Sequence, residues 1–234
     1  MVPLGEAMEK GNNEAVMPTK RLVIFDLDGT LLDTVLDLAD ATNHALESCG
    51  WPTHPSEAYY NFVGRGINNL FRAALPEQER TEENIGKMRS FFIPYYNVHN
   101  TDRSHPYTGI PKLLNTLTER GIAIAVASNK YQQATEKLIR HFFPDVPFAV
   151  ILGQREGFPM KPDPAIVNLI RERTSTQPDD VLYVGDSGID MQTATNASVE
   201  SVGVTWGFRP VNELTENGAN HLADIPADIL SFLQ

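Results

Sequence analysis

The sequence predicts an α/β fold: a parallel sheet with helices on both faces, interrupted by an inserted block of helices. Three observations lead there. From about residue 105 onward, short apolar runs of strand length alternate with segments of helical period. One further run, Leu22–Phe25, stands apart from these, and the stretch 34–104 that follows it has helical pattern and no convincing strand. Several of the runs end in polar residues of the kind that line the ligand edge of an open α/β sheet.

Size and charge bound the function. The chain has 234 residues, 41% of them apolar, room for one large domain or for a core plus a smaller module. A net charge of −11 opposes polyphosphate backbones and argues against nucleic acid as a partner. A small phosphate ester would be repelled too, so it would need local cations. The single cysteine, Cys49, rules out a disulfide within the chain, and we expect a reducing, cytoplasmic setting and a small buried hydrophobe rather than a reactive thiol. No run approaches the ~20 apolar residues of a membrane span, so no membrane role is expected. Residues 1–19 read as a loose, polar extension without the basic-then-apolar order of a signal peptide.

Leu22-Val23-Ile24-Phe25 is continuous and apolar, as a strand buried on both faces must be. After Thr34, Val35, Leu38, Ala39, Thr42, Ala45, Leu46 and Cys49 follow a helical spacing that Gly50 ends. A short helix over 67–72 and a longer one over 81–98 follow. Pro111 opens another helix and Gly121 closes it. Ile122–Ala127 is a buried strand expected to stop at Ser128-Asn129-Lys130, and further strands are expected near 148–152, 181–184 and 199–204. Helices are expected around Ala134–Phe142, Pro164–Arg173, Met191–Asn196 and Pro226–Leu233.

The strand ends carry the chemistry. The first supplies Asp26 and Asp28, with Gly29 free to turn tightly; the second supplies Ser128 and Asn129; the 181–184 strand supplies Asp186 and Asp190. Lys161 follows the strand near 148–152. Parallel strands bring these ends to one edge, where three or four acids, a lysine and neutral donors suit a Mg²⁺ ion bridging carboxylates to a phosphate. Each residue also has a plainer reading. Asp-x-Asp can be an ordinary turn, Ser128-Asn129 and Asp163 helix caps, Asp190 a complement to a helix dipole, and Lys161 a solvated charge.

Taken in order, Asp-Leu-Asp-Gly-Thr-Leu-Leu-Asp-Thr from Asp26, Ser128-Asn129-Lys130, Lys161-Pro162-Asp163-Pro164 and Gly185-Asp186-Ser187-Gly188-Ile189-Asp190 resemble the four motifs of the haloacid dehalogenase superfamily. The resemblance covers about Lys20 to the C-terminus. It implies a Rossmann-like catalytic core over 20–33 and 105–234 and a helical cap over 34–104. Phe62-Val63-Gly64-Arg65-Gly66 resembles the cap loop of the phosphoglycolate-phosphatase-like branch. One departure stands away from the chemistry: Ala197-Ser198 replaces the family's usual Ala-Gly.

The resemblance implies a Mg²⁺-dependent phosphatase of a small phosphorylated metabolite, phosphoglycolate foremost, with a phosphomutase, pyrophosphatase or nucleotidase as alternatives. Asp26 would be the nucleophile and Asp28 the general acid and base. Asp26, Asp186 and the Asp28 carbonyl would hold Mg²⁺. Ser128, with backbone donors at Asn129 and Gly29, would bind the phosphate. Lys161 would offset the negative charge, with Asp190 and Thr30 supporting the site from behind. Arg65 would grip a second anion on the substrate, and the cap would pivot near Asp33-Thr34 and Pro106–Gly109.

Overall fold

A computed structural model describes residues 19–234, so the expected N-terminal extension lies outside the described residues except for Thr19. Six parallel strands form the main sheet: β1 (Leu22–Phe25), β4 (Ala123–Tyr131), β5 (Val150–Gln154), β6 (Val181–Gly185), β7 (Glu200–Val204) and β8 (His221–Ala223). Their order is β5-β4-β1-β6-β7-β8. The chain leaves β1 toward β4 on one side and later returns to β6 on the other. The carboxyl end of β1 is therefore the point where the strand order reverses, the place where such sheets bind ligands.

The apolar runs are continuous because both faces are covered. Val23 and Phe25 face one layer with α5 (Ile110–Glu119), α6 (Gln132–Phe142) and the C-terminal 3₁₀ turn Pro226–Leu233. Leu22 and Ile24 face the other, with α7 (Ala165–Thr174) and α8 (Gly188–Asn196). Each core leucine or isoleucine buried in this way contributes roughly 1.5–3 kcal/mol, and the period of two along β1 serves two cores at once.

Between β1 and β4 the chain forms a two-residue ribbon and a helical block. The ribbon strands β2 (Leu32–Asp33) and β3 (His105–Pro106) pair antiparallel, tying together the two places where the chain crosses into and out of the block. Its helices are α1 (Val35–Ser48), α2 (Tyr59–Phe62), α3 (Ile67–Ala74) and α4 (Glu82–His99). They share an apolar cluster largely their own, built from Leu38, Leu46, Tyr59, Phe71, Met88, Phe92 and Tyr96, which meets the sheet module through Ala134, Tyr131 and Phe208. Buried Asp37 secures the returning chain by accepting from the backbone N–H of Arg103 and Ser104, at 3.0 and 2.8 Å, and from the Ser104 hydroxyl at 2.6 Å.

Two differences from expectation have local causes. β4 does not stop at Ala127. It runs on through Ser128-Asn129-Lys130, its pairing with β5 shifts register, and Tyr131 pairs again with Gln154. The polar residues that read as a strand end form an irregularity within it, and Gly153 of β5 permits the close approach of the Lys130 carbonyl. The short strands β2, β3 and β8 carry too few residues to show a period. Ser198, standing where the resemblance leads one to expect glycine, keeps the turn by adopting φ +56°. Cys49 is half-buried, and burial pushes its thiol up, away from the reactive range. Among the described residues no helix is long and apolar enough to cross a membrane.

Candidate active site

Asp26 follows β1 directly, its backbone N–H donating to the Val184 carbonyl at 2.9 Å, so the central strand pair positions the carboxylate. Lys161 reaches it from the segment after β5: Nζ stands 3.0 Å from Asp26 Oδ1 and 2.7 Å from Asp190 Oδ1, and donates to the Ala127 carbonyl at 3.0 Å. The contact with Asp26 has the distance of an ion pair but not the alignment of a hydrogen bond. Buried Oδ1 thus has no aligned donor among the described residues. Asp186, at the end of β6, accepts from the Phe208 backbone N–H at 2.7 Å and from the Thr30 hydroxyl at 3.4 Å.

Asp190 also lies in this cluster, and oxygens of Asp26, Asp186 and Asp190 fall within 4.8 Å of one another. Its oxygens are otherwise engaged. Oδ1 accepts from Lys161 and from the Tyr183 hydroxyl; Oδ2 accepts from the Ser187 hydroxyl at 2.6 Å and the Ser187 N–H at 3.2 Å. Ser187 and Asp190 form the capping box of α8. The dipole and cap reading of Asp190 therefore holds together with its grip on Lys161.

Crowding buried acids has an electrostatic consequence. Burial pushes Asp26 up to about 7 against the opposing pull of Lys161, with Asp190 and Asp28 adding to the rise. Asp186 is raised well above the ordinary range by burial and by Asp190 and Asp26. Lys161, despite its burial, is held well above its usual value by Asp190 and Asp26. One lysine does not neutralise this set. The orphaned Asp26 oxygen and the raised carboxyls fit a divalent cation with all-oxygen ligands, as Mg²⁺ prefers.

Asp28 faces the helical block. Its Oδ1 accepts from the Thr34 hydroxyl at 2.7 Å, and both oxygens stand 3.0 Å from Lys130 Nζ. Beyond it lies a cavity of about 40 Å³, room for a few water molecules. Leu38, Val63, Gly64, Gly66, Ile67, Leu70, Phe92 and Tyr96 border it from the helical block; Asp26, Asp28, Ser128, Asn129 and Lys130 border it from the sheet.

The structure thus brings Asp26, Asp28, Ser128, Asn129, Lys161, Asp186, Asp190 and Thr30 to one sheet edge, as the strand ends suggested. Two expectations need correction. Gly29, at φ +87°, turns the chain tightly beside Asp186, but its N–H donates to the Leu32 carbonyl at 2.8 Å and is not offered to a phosphate. Arg65 is exposed and does not border the cavity. With Arg89 and Arg155 it lines an outer groove that adjoins the cavity at Gly66, Ile67 and Asn129, while its neighbours Gly64 and Gly66 present backbone to the cavity. The Asn129 side chain is a tie between modules, accepting from the Lys161 N–H at 2.9 Å and donating to the Gly64 carbonyl at 3.3 Å.

Sequence reasoning missed the segment after β7. Trp206 Nε1 donates to the Thr30 carbonyl at 3.1 Å. Any side chain at Gly207 would strike Asp186 and the Gly29 carbonyl. Arg209 donates to the Tyr60 carbonyl and, at 2.6 Å, to the Val63 carbonyl of the helical block. The one signal available was the Gly-x-x-Trp-Gly run itself, which carries no charged group near the motif strand ends.

Known proteins resemble this chain in sequence and fold. The family model described as haloacid dehalogenase-like hydrolase matches residues 23–204. A protein of Vibrio parahaemolyticus named phosphoglycolate phosphatase is 30% identical over 219 residues, covering 91% of this chain and 96% of its own. One of Agrobacterium fabrum with the same name is 34% identical over 197 residues, covering 83% and 84%. A crystal structure from Haemophilus somnus 129pt, described as a predicted phosphoglycolate phosphatase, superposes with a TM-score of 0.86 at 29% identity, covering 93% of this chain and 100% of that one.

Proposed function

Since this chain belongs to the haloacid dehalogenase-like hydrolases, we propose that it is a Mg²⁺-dependent phosphatase of a small phosphomonoester, phosphoglycolate foremost. The observation that carries this reading is the convergence of Asp26, Asp28, Asp186 and Lys161 beneath a cavity of about 40 Å³. The cavity beside Asp28 has room for a small leaving group. The names of the relatives agree with the choice of phosphoglycolate.

Asp26, Asp186 and the Asp28 backbone carbonyl would hold Mg²⁺, which supplies positive charge against the phosphate and keeps Asp26 ionised. An Asp26 carboxylate oxygen bonds to phosphorus as the bond from phosphorus to the alcohol oxygen breaks. Asp28 gives its proton to that departing oxygen, then removes a proton from the water that attacks phosphorus and frees Asp26. Ser128 and the Asn129 backbone receive phosphate oxygens. Lys161, held by Asp190, offsets charge on Asp26 before and during the transfer. The helical block, 34–104, acts as a cap that closes over the leaving group and excludes bulk water.

The test is phosphate release from a panel of phosphorylated metabolites, with Mg²⁺ present and with EDTA. The reading expects the largest kcat/KM on phosphoglycolate or another small phosphomonoester, silence in EDTA and recovery with Mg²⁺. An isomerised sugar phosphate accumulating in place of inorganic phosphate would defeat it.

A further inference from the structure

On the proposed reading of the site, the geometry points to Lys130 and Tyr96 as a subsite for a second anion carried by the leaving group. Lys130 is the one cation bordering the cavity among the described residues; the helical block's contribution is otherwise mostly apolar. A buried ammonium is costly without a partner. Its partner is Asp28, which it meets with both oxygens at 3.0 Å. Asp28 is also the residue that must turn an oxygen toward the leaving group, and the ion pair occupies both.

Tyr96 supplies an independent observation. It lies on α4 at the cavity wall, its ring 4.9 Å from Lys130 Nζ, and its hydroxyl is buried without a hydrogen-bond partner among the described residues. A buried hydroxyl left unpaired costs roughly 1–3 kcal/mol, and a ligand oxygen in the cavity would satisfy it. Burial pushes the phenol well above its ordinary range, so it stays a donor. A cation and a hydroxyl donor beside the proton donor are complementary to a carboxylate one methylene away from the leaving oxygen. Such a group takes the ammonium from Asp28 and frees the carboxyl for proton transfer. An uncharged leaving group has nothing to offer in exchange for the buried pair. The cation expected at Arg65 is thus provided from the sheet module at Lys130.

Two substrates separate the possibilities: phosphoglycolate and ethyl phosphate, of similar size, with and without the carboxylate. The readout is the ratio of their kcat/KM values. Tyr96→Phe removes only the unpaired hydroxyl, so the fold keeps its stability, and the ratio should fall about tenfold or more, the worth of a hydrogen bond to a charged group. Lys130→Met should lower the ratio by about 10–100-fold, with Lys130→Arg recovering part of it. A ratio unmoved in Tyr96→Phe and Lys130→Met, or equal losses on both substrates, would overturn the subsite while leaving the phosphatase reading standing. Release of phosphate from neither substrate by the wild type would sink that reading, and the subsite with it.

Discussion

Asp190 and Lys161 meet at 2.7 Å with both side chains almost wholly buried, and the contact commits Asp190 Oδ1 to the lysine. Ser187 takes the other oxygen. Among the described residues, Asp186 accepts hydrogen bonds only from Phe208 and Thr30. Asp186→Ala should therefore weaken Mg²⁺ binding more than Asp190→Ala, whose effect on affinity should lie within about 10–100-fold, as for a group that orients a site from behind. Asp190→Ala should cost more in stability, about 3–5 kcal/mol, because it strips a partner from a buried charge. Titration calorimetry with Mg²⁺ and thermal unfolding of the two variants check the two orderings; reversal of the first would make Asp190 a metal ligand.

Mg²⁺ affinity should depend steeply on pH. The Asp26 carboxyl, raised from 3.8 to about 7, must lose its proton to hold the metal. Its sign is that of a raised acid: in the metal-free fold the contribution is fully present below about 4 and is lost as pH rises through about 7. Mg²⁺ binding should tighten over the same rise, by up to about tenfold per unit below pH 7 for one released proton. Asp186, shifted in the same direction, steepens the effect. Calorimetry at several pH values in buffers of different ionisation enthalpy measures the protons released, and a flat affinity from pH 6 to 8 would contradict the shift.

Ser198 pays for a left-handed turn at φ +56°. Ser198→Gly should raise stability by about 0.5–1 kcal/mol, the strain relieved less the entropy that glycine loses on folding. It lies away from the site, and the thermal midpoint read by circular dichroism measures it.

The sheet and most of the site were legible because their signals are local. Four apolar runs and the residues immediately after them lie within a few positions of one another, and parallel pairing alone carries Asp26, Ser128 and Asp186 to one edge. What escaped depends on packing between distant segments. Lys130 stood in plain view beside Asn129, but its partner Asp28 lies 102 residues away and its neighbour Tyr96 comes from another module. Arg65 drew attention as a cation between glycines. The loop does approach the cavity, with φ of +110° at Gly64 and +79° at Gly66, but these turns present backbone inward and leave the arginine outside. The tie from Arg209 to the Tyr60 and Val63 carbonyls involves main-chain acceptors, which no side-chain pattern reveals.

The central claim is that Asp26 carries the phosphoryl group. Rapid acid quenching during turnover of phosphoglycolate radiolabelled in its phosphate, followed by peptide mapping, tests it most directly. The account predicts one labelled peptide, containing Asp26, with label lost on treatment with hydroxylamine as expected of an acyl phosphate, and neither label nor turnover in Asp26→Asn. Label on any other residue, or turnover persisting in undeamidated Asp26→Asn, would contradict it.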